Sequence, residues 1–191
     1  PGEQWHSDTT MMPHPPMGAI LYALEVPPFG NDTLFTNQYL AFETLSPTMQ
    51  KTITKLRAVH SDVRVAGPQA ALNGKRSTKV REDSNWRPTE SIHPVVRTHP
   101  ETGRQCLFVN IAYTQRFEGM SEDESEGLLE YLMMHGNRPE FSCRFAWRPG
   151  SIAFWDNRCT KHFALNDVTT HRRHMRRTQI EGDAVLGPKA A

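Results

Sequence analysis

Pro1-Gly2-Glu3-Gln4-Trp5-His6-Ser7-Asp8 contains the pair around which the rest of the chain is read, His6-x-Asp8. In an extended segment, residues i and i+2 point to the same face. His6 and Asp8 can then offer an imidazole nitrogen and a carboxylate oxygen to one metal ion. A site needs a third ligand, which must come from far along the chain. His162 fits, 154 residues after Asp8, in Trp155-Asp156-Asn157-Arg158-Cys159-Thr160-Lys161-His162. Two histidines and one carboxylate are the facial set that holds non-haem Fe(II) and leaves positions open. Alone the pair is a weak signal, because a surface His and Asp two residues apart are ordinary.

The 191 residues suffice for one domain with a sizeable core. With 37% hydrophobic and 23% charged residues the composition is that of a soluble globular protein. A net charge of +1 gives no reason to expect nucleic acid or an anionic membrane as partner. No apolar run approaches a membrane span, and no signal peptide is visible. Cys106, Cys143 and Cys159 are an odd, widely spaced set, neither a disulfide framework nor a zinc site. A reducing cytoplasm is the expected compartment. A candidate ligand only six residues in, after a first residue that is not Met, predicts the C-terminal part of a longer protein.

Working outward, Gly18 to Val26 is a short apolar run between Pro15-Pro16 and Pro27-Pro28, which predicts a buried strand. Gly30-Asn31-Asp32 is a turn and Thr33 to Thr36 a strand. Asn37 to Leu45 is expected to be helical. A second helix begins with Ser46 as cap and Pro47 in its first turn, and should run to about Leu56. Val59 to Val65 is expected as a strand. Residues 66–92 are polar and rich in turn signals, which predicts a flexible insertion or a lid. His93 to Pro100 and Arg104 to Asn110 are expected to form a hairpin. Ser121-Glu122-Asp123-Glu124 is a capping box opening a helix that stops at Gly136. Phe141 to Trp147, Ser151 to Asp156 and Arg172 to Glu181 are further expected strands. Many short strands and few helices predict a mainly β fold, a barrel or double-sheet jelly roll with added helices.

His171-Arg172-Arg173-His174-Met175-Arg176-Arg177 is the one basic cluster after His162. On a strand, Arg173 and Arg177 share a face, and guanidinium forks bind carboxylates bidentately. The alternative is a solvated edge strand that blocks aggregation, which suits Arg172 and Arg176. His14, His60, His93, His99, His135, His171 and His174 show no shared ligand spacing. Nor does the chain contain a P-loop, a Rossmann fingerprint or a Ser-His-Asp arrangement.

Taken in order, Trp5-His6-Ser7-Asp8, Gly30-Asn31-Asp32-Thr33-Leu34, His93-Pro94-Val95-Val96-Arg97-Thr98-His99-Pro100, Trp155-Asp156-Asn157-Arg158 with His162, and Arg173 resemble the taurine dioxygenase (TauD/TfdA) family of Fe(II)/2-oxoglutarate-dependent oxygenases. Ala41 to Gln50 and Phe117-Glu118-Gly119-Met120 are similar to its aryloxyalkanoate dioxygenase branch. The resemblance implies a double-stranded β-helix (jelly-roll, cupin-like) core, here without the N-terminal strands of the family, and one catalytic domain over residues 1–191. It implies His6, Asp8 and His162 as iron ligands. Arg173 and Thr33 would bind the distal carboxylate of 2-oxoglutarate, and Arg177 the acidic end of the substrate. Tyr113, with Trp5 and Trp155, would line the pocket. Fe(II), 2-oxoglutarate and O2 are the implied cofactor and cosubstrates. The implied reaction hydroxylates a C–H beside a heteroatom in a sulfonate, alkyl sulfate or aryloxyalkanoate, whose product then falls apart. A homo-oligomer is also expected. Two readings compete: a catalytically silent ligand-binding or truncated homologue on the same fold, and a cupin-like isomerase, against which Arg173 argues.

Overall fold

The computed structural model describes residues 3–67, 70 and 86–189. It is mainly β, with few helices. β1 (Gly18–Glu25) is the centre of the first sheet, flanked on either side by β9 (Ile152–Asp156) and β11 (His174–Ile180), all antiparallel. The proline pairs around β1 confine it to the predicted run. Its inward residues Ala19 and Ala23 are fully buried. Their small size admits two large rings, Trp147 and Trp155, with Leu21, Phe35 and Met175 packed around them.

β2 (Thr33–Asn37) is the centre of a second sheet, between β8 (Ser142–Phe145) and β10 (Thr160–Ala164). Phe35 of β2 meets Trp155 of β9 at 5.3 Å between ring centroids, so the two sheets share one apolar cluster. A third sheet orders β4 (Glu90–Pro94), β3 (Arg57–Ser61) and β7 (Thr114–Phe117). β5 (Val96–Thr98) and β6 (Gln105–Leu107) form the expected hairpin.

A second core lies under α1 (Gln38–Glu43), α2 (Pro47–Ile53) and α4 (Glu122–His135), with Phe42, Ile53, Val96, Leu107, Phe117 and Leu132 at its centre. Each of these helices starts where its cap demands. The Asn37 side chain accepts from the N–H groups of Tyr39 and Leu40, Ser46 accepts from Met49, and Ser121 and Glu124 complete the capping box. Gly136 ends α4 close to β10: a Cβ there would come within 2.9 Å of both Lys161 Nζ and Gln38 Oε1. No helix among the described residues is long and apolar enough to cross a membrane.

Several expected boundaries need correction. α2 stops at Ile53, because the Leu56 carbonyl is taken by the Val95 N–H and the chain enters β3. The strand expected over Val59 to Val65 ends at Ser61. Beyond it the Asp62 carbonyl accepts from Val65 and Ala66 at 2.9 and 2.7 Å, winding the short helix α3 (Val63–Ala66). Residues 90–92, assigned to the polar loop, belong to β4. Residues 68, 69 and 71–85 of the expected lid lie outside the described residues. Strands over 104–110 and 141–147 shrink to β6 and β8. At the first, Asn110 turns back on Thr114; at the second, Pro139–Phe141 is a 3-10 turn. β7 and β10 were not expected as strands at all.

Candidate metal centre and its surroundings

Two segments from opposite ends of the described chain build the centre. His6 forms an isolated antiparallel bridge with His162, the His6 N–H donating to the His162 carbonyl at 3.1 Å and the reverse at 2.8 Å. The Ser7 hydroxyl adds a bond to the Thr160 carbonyl at 2.8 Å. The His6-x-Asp8 pair therefore sits on a single bridge and not on a strand. Asp8 already belongs to a turn, followed by Thr9 at φ 43°. The alternation holds through that short stretch, and both side chains reach one point.

His6, Asp8 and His162 place their donor atoms within 4.8 Å of one another, all buried. Asp8 Oδ1 lies 3.6 Å from Nε2 of each histidine. That spacing exceeds a direct hydrogen bond. It is shorter than twice a metal–ligand distance of about 2.1 Å, so one ion can touch such a pair. The His6 Nδ1–H donates to the Gln4 carbonyl at 2.7 Å, which leaves the Nε2 lone pair free. His162 Nδ1 is buried and has no hydrogen-bond partner among the described residues. Burial, and then the neighbouring His6 imidazole, pull the His162 imidazole down to about 3, so it stays neutral and able to ligate. Burial alone would raise the Asp8 carboxyl. The His6 and His162 imidazoles beside it, together with the Arg177 guanidinium, hold it well below the usual range. Two imidazoles and a carboxylate that converge on one buried point fit a divalent ion of the Fe(II) kind.

Apolar rings wall the centre. Trp155 lies 4.9 Å and Phe35 6.2 Å from the His162 ring, and Tyr113 lies 6.5 Å edge-on from His6. Burial and the Asp8 carboxylate push the Tyr113 hydroxyl up to about 12. Trp5 packs instead against Phe163, at 5.7 Å.

The arginines divide. Arg173 precedes β11, and its Nε is buried without a hydrogen-bond partner among the described residues. Arg177, on β11, bonds Asp8 Oδ2 through Nη2 and lies 5.9 Å over the Trp155 ring. The guanidinium expected for a substrate anion is thus in contact with a candidate ligand. Arg172 pairs with Glu25 at 3.2 Å, on the exposed side as expected. Thr33 is buried and accepts from Trp147 Nε1 at 3.0 Å, which leaves its own hydroxyl proton to donate.

A second group was missed in the sequence: His99, Asp156 and Cys159 also lie within 4.8 Å of one another. His99 Nδ1 accepts from the N–H groups of Glu101 and Thr102 at 3.3 and 3.2 Å, so its proton is on Nε2 and goes to Asp156 Oδ2 at 3.0 Å. The Asp156 carboxylate also accepts from Arg158 N, Nε and Nη2. His60 and His93 were likewise read as unrelated, yet their rings meet edge to face at 5.4 Å beside Phe108. Their separation of more than thirty positions hides the contact from any spacing rule.

A family model described as "Taurine catabolism dioxygenase TauD, TfdA family" matches residues 1–179. Among curated proteins, the chain is 38% identical over 174 residues to the alpha-ketoglutarate-dependent dioxygenase cnsM of Penicillium expansum, covering 90% of this chain and 47% of that one. It is 33% identical over 184 residues to an alkylsulfatase of Acinetobacter baylyi, covering 96% and 58%. The crystal structure of a taurine dioxygenase from Burkholderia xenovorans superposes with a TM-score of 0.80 at 39% identity, over 96% of this chain and 59% of that one. The chain spans about half the length of the curated relatives it matches.

Proposed function

Because the chain belongs to the TauD, TfdA family, we propose that it is an Fe(II)- and 2-oxoglutarate-dependent dioxygenase that hydroxylates a C–H bond beside a heteroatom in a small acidic molecule. The observation that carries this reading is the convergence of His6, Asp8 and His162 on one buried point. Its core is a jelly roll, and residues 1–191 act as one catalytic domain.

His6, Asp8 and His162 would hold Fe(II), which when bound supplies open positions for 2-oxoglutarate and O2. Arg173 brings an unsatisfied buried N–H, and Thr33 a free hydroxyl proton. Both suit the distal carboxylate of 2-oxoglutarate, and the fork of Arg173 adds a charge-assisted bond. Arg177 retains further N–H donors beyond its bond to Asp8, and these take the acidic end of the substrate. Trp155, Phe35 and Tyr113 exclude water from the reacting carbon and orient it. Alkyl sulfates and sulfonates are the favoured acids, because an alkylsulfatase and a taurine dioxygenase are among the similar proteins. A heteroatom on the hydroxylated carbon makes the product cleave.

The test is succinate release from 2-oxoglutarate with Fe(II), across a panel of sulfonates, alkyl sulfates and aryloxyalkanoates. Stimulation by one class of acid is expected. Succinate no higher with any acid than without, in protein that binds Fe(II), would overturn the reading.

A further inference from the structure

We propose that Asn157 is the positioning residue for the carboxylate ligand, an assignment that rests on reading the triad as a metal site. Asn157 is fully buried and reaches Asp8 through its amide alone. Its Oδ1 accepts from the Asp8 N–H at 2.7 Å, while Nδ2 donates to the Asp8 carbonyl at 3.2 Å and to the Pro16 carbonyl at 3.0 Å. The Asn157 N–H donates to the Met17 carbonyl at 2.8 Å.

One side chain thus grips both backbone polar groups of a single ligand residue. Peptide planes on both sides of Asp8 are held, immediately before the left-handed Thr9. What remains free in Asp8 is its side-chain rotation, and the bond from Arg177 to Oδ2 restrains that. Ligands held by outer partners in this way keep their geometry whether or not the ion is bound.

Asn157 is itself fixed by its neighbours. It sits in the turn between β9 and β10, next to Asp156, which is locked by His99 and by four bonds from Arg158. The same turn leads into β10 and delivers His162. The spacing between the Asp8 and His162 donors is therefore set by one turn, which holds the first through the Asn157 amide and the second through the strand. Only an amide does this. It supplies an acceptor to an N–H and donors to two carbonyls, whereas an aspartate would set a carboxylate oxygen against both carbonyls.

The experiment uses the full chain and Co(II) as probe, titrated by its ligand-field absorption, with unfolding of the metal-free protein followed separately in EDTA. Asn157→Ala is expected to raise the Co(II) dissociation constant about tenfold to a hundredfold and to alter the absorption bands, while the metal-free protein keeps its fold. Asn157→Asp, nearly isosteric, should weaken Co(II) as well. Affinities within about twofold of wild type for both variants would overturn the proposal. So would loss of the native fold in both variants without metal, since Asn157 would then serve folding. Failure of the wild-type chain to bind Co(II) would remove the metal reading together with the proposal. A wild type that binds beside variants that bind equally well would remove the positioning role alone.

Discussion

His6, Asp8 and His162 gather their donor atoms within 4.8 Å, and so do His99, Asp156 and Cys159. By composition both are plausible ligand sets. They differ in what their lone pairs already do. In the first, His6 uses its Nδ1–H on a carbonyl and keeps Nε2 open, and Asp8 Oδ1 faces two imidazoles with no hydrogen donated to it at short range. In the second, both His99 nitrogens are occupied, and Arg158 and His99 fill the Asp156 carboxylate. A metal entering there would displace a buried guanidinium whose side chain is 4% exposed. Donor types locate clusters; unspent lone pairs distinguish a site that can bind an ion from one that holds the fold.

The sharpest way to break this contrast is His162→Ala. It should abolish stoichiometric Co(II) or Fe(II) binding, read by metal analysis after desalting, whereas His99→Ala should leave one ion per chain. Retained metal in the first variant with loss in the second would exchange the two roles.

Arg173→Ala and Arg177→Ala test the two arginines proposed to bind anions. If Arg173 binds the distal carboxylate as proposed, Arg173→Ala should weaken 2-oxoglutarate by on the order of 2–5 kcal/mol, for every substrate. Arg177→Ala should lose the substrate-stimulated reaction, by about tenfold to a hundredfold, and lower uncoupled 2-oxoglutarate consumption less than Arg173→Ala does. Arg→Lys at either position should recover only part, since it keeps the charge and loses the fork. Consumption of 2-oxoglutarate with and without substrate separates the two variants, and the opposite pattern would reverse their roles.

Asp156→Asn should cost about 2–3 kcal/mol of stability in denaturant unfolding. That is less than the ~3–5 kcal/mol of a fully buried pair, because the Asp156 side chain is 32% exposed. Metal stoichiometry should not change. Burial raises the Asp156 carboxyl, but the bonds from Arg158 and His99 outweigh it and hold the group below its ordinary 3.8. A depressed carboxylate contributes stability that is fully present above the ordinary value and lost as pH falls through the lower folded one. The difference in stability between wild type and Asp156→Asn should therefore shrink below pH 3.8. A constant difference down to strong acid would show that the pair does not stabilise the fold. The smallest effect is expected at Cys159→Ser, within about 0.5 kcal/mol in the same unfolding measurement and with unaltered metal binding.

Much of the first cluster was legible in the chain, and almost none of the second. His6-x-Asp8 obeys local alternation, and His162 stands out within a motif. The capping residues Asn37, Ser46 and Ser121 act through neighbours two or three positions away, so their helices were legible too. β10 escaped because Thr160-Lys161-His162-Phe163-Ala164 places a lysine where a core residue belongs. Lys161 is 1% exposed, and burial pulls its ammonium down to about 7. Periodicity rules assume that a lysine faces water. The bonds from Asn157 to Asp8, from Arg177 to Asp8 and from His99 to Asp156 span 149, 169 and 57 positions. Only the tertiary fold brings these partners together.

The bridge between the His6 segment and β10 also implies an order of events. Asp8 and Asn157 are 149 residues apart in the chain. Joining ends so distant costs about 4 kcal/mol of loop entropy beyond the constant term, and a growing polypeptide exposes His6 and Asp8 long before His162 exists. The first pair alone is an incomplete ligand set, and the His6 segment must pair with β10 before three ligands meet. An ion held by His6, Asp8 and His162 would therefore meet its full ligand set only after that pairing.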